Sequence, residues 1–181
     1  MLNVWSLRRV LLTGPPGSMM YAMESQLCAA GARSFCADVP FSEDSLSYAL
    51  QQRCSCIIVP DLLTLRAGGS ESCLDALNTL LFEAREAGVP LVMLLCRSSG
   101  MHEESSTQLF SHALGFTRGA CGDPVSVQCI RHSGGNPQQI CRDALTLGAR
   151  FLAGEHTCTG VFTLGKTMGL PPHSPTRDFA P

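Results

Sequence analysis

The feature that most restricts the fold of this chain is a recurrence of short, unbroken apolar runs, each followed by a longer stretch of helical periodicity. RVLLT (9–13), ARSFCAD (32–38), CSCIIVP (54–60), PLVMLLC (90–96), VSVQCI (125–130) and GVFTLG (160–165) read as strands. Residues 18–30, 43–52, 71–87, 103–118 and 137–153 read as helices between them. A strand that is apolar throughout, rather than at alternate positions, has both of its faces covered. Parallel strands need crossovers of a dozen or more residues, which helices supply. The pattern therefore predicts an α/β fold: a doubly wound parallel sheet of about six strands, in Rossmann order, with helices on both faces.

Local signals place the ends of these elements. Gly31 and Gly88 follow helical stretches where a left-handed C′ residue would stop them. Ser70 is a candidate N-cap for 71–87, where Leu74, Leu77, Leu81 and Ala84 recur at three- and four-residue intervals. The 43–52 stretch, EDSLSYALQQ, carries its acidic residues at the positive end of the helix dipole. Residues 1–165 are expected to form one domain, and 166–181, rich in Pro and polar residues, a loose tail.

Composition fits this layered fold and excludes some functions. Hydrophobic residues make up 45% and charged residues 15%, as two covered sheet faces require. The net charge of −2 with no basic block argues against a nucleic-acid partner. The longest apolar run, 89–96, is too short to span a bilayer, so no membrane association is expected. Ten cysteines are scattered through the chain, most of them inside apolar runs, with no CxxC pair. Such thiols behave as small hydrophobes, so packing rather than a disulfide or metal role is expected. MLNVWSLRR has no apolar signal region, and the reading is cytoplasmic.

The loop after the first strand, TGPPGSMM, is the first candidate site. Set against the Walker A pattern from Gly14, the lysine falls on Met20 and the hydroxyl residue on Tyr21. The groups that would meet the β/γ-phosphates and Mg²⁺ are thus absent. Set against the dinucleotide pattern G-x-x-G-x-x-G, Gly14 and Gly17 fit and Met20 takes the third position, where its bulk is expected to push the helix outward or displace the loop. Gly14, Gly17 and Ser18 would bring backbone donors to a pyrophosphate at the helix N-terminus. Asp38 ends the second strand 24 residues after Gly14, where a carboxylate accepts hydrogen bonds from an adenosine ribose. The cofactor implied is NAD or NADP.

TGPPGSMM, Asp38 and LNTLLFEAREAGVPLVMLLCRSSG together resemble the extended short-chain dehydrogenase/reductase superfamily, nearest its sugar-nucleotide epimerases and dTDP-4-dehydrorhamnose reductase-like proteins. There a helix ending in EAAREAGV leads to a strand ending on Ser or Thr; here Glu83-Ala84-Arg85-Glu86-Ala87-Gly88-Val89 precedes LVMLLC and Ser98-Ser99. SVQCIRHSGG is similar to the family's LRPxxVYGPG, and TGVFTLG to its GVYHLG. The resemblance runs from about residue 9 to 165. It implies a dinucleotide or a nucleotide sugar as ligand. It also implies a homodimer or heterodimer through helices 71–87 and 103–118.

The departures bear on activity. The family's catalytic helix reads YxxSKxxGE; its tyrosine exchanges a proton with substrate, and its lysine lowers the tyrosine pKa. Here Ser111 and Gly115 keep that spacing, but Gln108 takes the tyrosine position and His112 the lysine position. Gln is no proton donor near neutral pH, and His replaces a fixed charge only in part. Lys166 is the sole lysine. The small-residue wall after the third strand is replaced by Val59-Pro60-Asp61, and the late strands are too closely spaced to carry the family's sugar-nucleotide lobe.

The resemblance leaves three readings: a nucleotide-binding pseudoenzyme, an active NAD(P)-dependent epimerase or oxidoreductase using Ser98, Ser99 and His112, or a structural subunit. Arg131 and His132, beside Gly134-Gly135 at a strand's carboxyl end, are candidate phosphate or sugar contacts. Cys96 or Ser98 with His102 or His132 could form a hydrolase pair, but no G-x-S-x-G elbow supports it. Cys121, Cys129, His132 and Cys141 have metal-ligand chemistry, though nothing in their spacing makes them converge.

Overall fold

The computed structural model describes residues 4–37, 46, 51, 53–65, 72–98, 103–118, 125–155 and 159–165. The strands are β1 (Arg9–Thr13), β2 (Arg33–Ala37), β3 (Cys56–Val59), β4 (Leu91–Arg97), β5 (Ser126–His132) and β6 (Gly160–Leu164). The helices are α1 (Ser18–Ala29), α2 (Cys73–Glu86), α3 (Glu103–Arg118) and α4 (Pro137–Leu152), with a 3-10 turn at Leu62–Thr64. The expected helix over 43–52 falls outside the described residues, apart from Leu46 and Gln51, both helical. Asp38, Ser99, His102 and Cys121 also lie outside them.

All strand pairs are parallel, in the order β2-β1-β3-β4-β5-β6. This is the expected doubly wound sheet. It differs from the 3-2-1-4-5-6 Rossmann order in having one strand, not two, on the β2 side of β1 among the described residues. The connection from β1 leads to one neighbour and that from β2 crosses to the other, so the order reverses between β1 and β3.

Alternation of side chains sorts each strand between two cores. Leu11, Ile57, Val59, Leu94 and Cys96 face α2 and α3, where they meet Leu77, Leu81 and Phe110. Val10, Leu12, Ile58, Met93 and Leu95 face α1 and α4, with Met23, Leu27 and Ala144. These residues are fully buried, so β1, β3 and β4 are apolar on both faces because both are roofed by helices.

Caps define where the helices begin. Ser72, not Ser70, caps α2: its hydroxyl accepts from the Leu74 N–H at 3.2 Å. Asn136 caps α4 through the Gln138 N–H at 3.0 Å, with Pro137 in the first turn. Ahead of β1, Trp5 is buried beneath α4 and donates from Nε1 to the Leu145 carbonyl at 2.9 Å. Gly148 of α4 accommodates it: a Cβ there would lie 2.8 Å from the indole Cζ2 and 2.8 Å from the Met93 sulfur.

Candidate functional site

β1 ends on buried Thr13, and the chain leaves the sheet at Gly14 with φ of 152°, a conformation that disfavours a side chain. Gly17 precedes α1 with extended backbone, and a Cβ there would meet nothing within 4 Å. Gly14 is thus required by backbone geometry, and Gly17 is not. Met20 does not push the helix off the sheet. Its side chain is buried in the α1/α4 core, with its terminal methyl 3.3 Å from where a Cβ on Gly14 would lie. The methionine fills the space that the glycine leaves open.

No side chain caps α1; its first helical bond runs from the Tyr21 N–H to the Gly17 carbonyl at 3.0 Å. The first turn therefore retains unbonded backbone donors, the arrangement that receives anions. Gly14, Gly17, Ser18, Pro60, Asp61 and Thr64 line a crevice of 220 Å³ between this turn and the end of β3. It lies at the point where strand order reverses, the usual ligand position in open α/β sheets.

Asp61 follows β3 and is half-buried in this wall; its carbonyl accepts from the Thr64 hydroxyl at 2.8 Å. Its carboxylate is felt by groups on the next two strands. Burial pushes the Cys96 thiol up to about 11, with Asp61 adding to the rise and Ser106 and Arg131 opposing it. Burial lowers the His132 pKa, Asp61 raises it, and Arg97 lowers it. The Gly134 N–H donates to His132 Nδ1 at 3.3 Å, which assigns the proton of the neutral ring to Nε2. A protonated, buried Cys96 is no nucleophile.

Among the described residues, the other sequence candidates are placed apart from the crevice. Arg131 turns toward α3, its guanidinium 5.6 Å over the Phe110 ring and its Nη2 donating to Thr107 at 2.8 Å. His132, the next residue, projects from the opposite side of the sheet. Ser98 is half-buried just past β4, tied to β5 by its N–H to the His132 carbonyl at 2.8 Å. His112 is exposed on α3 and bonded through Nε2 to Asn78 Oδ1 of α2; Gln108 is exposed on the same helix. Neither lines the crevice.

Cys129 and Cys141 lie in opposite cores, and the described residues hold no group of three potential metal ligands. A larger open concavity of 570 Å³, lined by Arg53, Cys54, Glu83 and Glu86, sits near the amino end of β3, away from the strand ends that carry ligands in such folds. Among the described residues no helix is long and apolar enough to cross a membrane. Asp61 is the residue that sequence reasoning did not count as a site residue. Its signal was present: a carboxylate directly after the third apolar run, in place of a small residue.

No protein family profile and no curated protein matches the chain. Solved structures do. A short-chain dehydrogenase/reductase of Serratia marcescens, solved as a double mutant, superposes with a TM-score of 0.62 at 14% identity, over 88% of this chain and 96% of that one. BdcA (YjgI) from E. coli superposes with a TM-score of 0.60 at 12% identity, over 89% and 100%. MoeE5, solved in complex with UDP-glucose and NAD, superposes with a TM-score of 0.50 at 18% identity, over 68% and 54%. At these identities the likeness is one of fold. The chain has the Rossmann-type fold of short-chain dehydrogenase/reductases and epimerase-like proteins, which is also what its motifs resemble.

Proposed function

We propose that the chain is a nucleotide-binding member of this fold, with NAD, NADP or a nucleotide sugar as its ligand class, and that it does not perform the fold's usual proton and hydride transfer. The observation that carries the reading is the crevice at the strand-order reversal: Gly14 at positive φ leads into a helix whose first-turn donors are uncapped. MoeE5, of similar fold, was solved with NAD and UDP-glucose. Loss of chemistry rests on Gln108 and His112 standing where the family's motif has tyrosine and lysine. His112 is moreover bonded to Asn78.

Thermal-shift and calorimetric titration with NAD⁺, NADH, NADP⁺, NADPH and UDP-glucose tests this, since a ligand of the native state must raise apparent stability. Binding without turnover, weakened by Asp38→Ala, is the expected result. NADH oxidation abolished by His112→Gln would refute the pseudoenzyme reading. Absence of any shift at millimolar ligand would refute nucleotide binding.

A second reading, a structural subunit that pairs with a copy of itself or another chain, is favoured by one surface. Leu74 and Phe82 are exposed on α2, and Arg85 lies 5.8 Å over Phe82 and 4.6 Å over Phe116 of α3. Light scattering of the wild type and of Phe82→Glu tests it; pairing through this face requires a dimer that the substitution dissociates.

A further inference from the structure

We propose that the carboxyl ends of β4 and β5 form a second binding site, apart from the crevice, in which Arg97 and His132 hold a carboxylate. The site goes beyond the nucleotide-binding reading and does not depend on it.

Arg97 and His132 are the last residues of neighbouring parallel strands and stand opposite each other in register. Opposed residues of a parallel pair share a face, and Leu95 and Ile130, two positions earlier, fix it as the α1/α4 side. From there Arg97 reaches across to the turn that follows β5. Its guanidinium lies 3.2–3.4 Å from where a Cβ on Gly134 would be, seated over the bare backbone of a glycine at φ of 88°. The N–H of the same glycine donates to His132 Nδ1 at 3.3 Å. One glycine thus makes room for the guanidinium and orients the imidazole.

Both groups keep donors to offer. Arg97 is exposed and, among the described residues, has neither a hydrogen bond nor an ion pair. His132 is 6% exposed, and with Nδ1 accepting, its Nε2 is the donor. No described residue accepts from Nε2, and it is not among the polar atoms shut away from solvent. Water can satisfy either group singly; an oxyanion satisfies both at once. Arg131 adds charge from the opposite face of the sheet, its Nε buried without a partner and its Nη2 on Thr107. The guanidinium fork matches a planar carboxylate, and the imidazole adds a donor to the same oxygens. Burial and Arg97 favour the neutral ring against the pull of Asp61. With Arg97 and Arg131 set against Asp61, these strand ends carry a single net positive charge, which suits a monoanion better than a phosphate dianion.

Titration of the full chain with propionate and with neutral propionamide, followed by the side-chain ¹⁵N signals of Arg97 and His132, provides the test. Exposed Arg33 serves as the internal comparison. Propionate should move both signals to saturation, propionamide neither, and Arg33 should not follow. Arg97→Gln should weaken propionate about tenfold, and Arg97→Lys, which keeps the charge without the fork, should recover only part. Circular dichroism checks that each variant folds. Equal responses to acid and amide, an equal response at Arg33, or wild-type binding by Arg97→Gln would overturn the site. Calorimetry with UDP-glucuronate and UDP-glucose then identifies the carrier. A preference of about tenfold for UDP-glucuronate, abolished by Arg97→Gln, puts the carboxylate on a nucleotide. Equal affinities, with propionate still bound, make it a separate acid at the same site. Propionate binding without binding of any nucleotide would refute the nucleotide-binding reading and uphold this site.

Discussion

Gly148→Ala is a sharp test of how α4 is seated on the sheet. In an open helix the substitution stabilises by about 1 kcal/mol, because glycine loses more backbone freedom on folding. Here the new methyl would lie 2.8 Å from Trp5 Cζ2, 3.2 Å from Cη2 and 2.8 Å from the Met93 sulfur. Met93 has rotamers to spare, but the indole does not: it is buried and held by its bond to the Leu145 carbonyl on the same helix. Relief requires α4 to shift from the sheet or the indole to leave its site. Overpacking costs about 1–3 kcal/mol, and two contacts at 2.8 Å place this case in the upper part of that range, about 2–3 kcal/mol, so after the propensity gain of about 1 kcal/mol the net effect is a loss of about 1–2 kcal/mol. For a domain of this size that lowers Tm by about 2–8 °C. Urea unfolding followed by circular dichroism, with fluorescence of the single tryptophan as a second probe, measures it. In a Trp5→Phe background, where the second ring is gone, the cost of Gly148→Ala should fall by half or more. A variant as stable as wild type, or an unchanged cost in the Trp5→Phe background, would refute the steric argument.

Three further outcomes are expected. Because burial lowers the His132 pKa despite Asp61, and Arg97 assists, the unfolded chain binds more protons in the histidine range. Stability relative to His132→Gln should therefore be full at neutral pH and decline as pH falls through about 6.5, measured as Tm against pH. Iodoacetamide at mildly alkaline pH should label exposed Cys28 and Cys36 first, read by peptide mass spectrometry. Cys96, pushed up to about 11, and Cys129 and Cys141, pushed up to about 12, should react only once denaturant is added. Gly14→Ala forces a side chain into φ of 152° against the Met20 methyl; it should cost about 1–3 kcal/mol in urea unfolding and weaken whatever the crevice binds.

What could be read in advance follows the range of the interactions involved. The six strands and the span of α3 follow from hydrophobic runs and periodicity, which are local, and the structure reproduces them. The Ser72 cap was missed because two serines flank Glu71 and either could cap α2. That one strand, not two, lies on the β2 side of β1 among the described residues is a matter of sheet order, which periodicity does not encode. The bond between His112 and Asn78 joins residues 34 apart on two helices, and the burial of His132 depends on the elements around it. Met20 illustrates the limit most clearly. A departure from the glycine pattern reads as damage, yet the side chain turns inward and packs beneath the turn it was expected to disrupt.

The seating of Trp5 also has a meaning for biosynthesis. Its hydrogen-bond acceptor, Leu145, is 140 residues further along the chain, and its steric partner Gly148 lies one turn beyond. As the polypeptide leaves the ribosome, the segment ahead of β1 can bond to the turn after α1 through the Leu7 N–H and the Gly31 carbonyl, but the Trp5 indole has no acceptor until α4 has emerged. Most of the sheet can pair before then, but the α1/α4 core stays open at that end, with an indole and Met93 exposed to solvent. The nascent chain thus passes through a long interval in which an aromatic anchor is available to chaperones, and that interval closes only once α4 has been made.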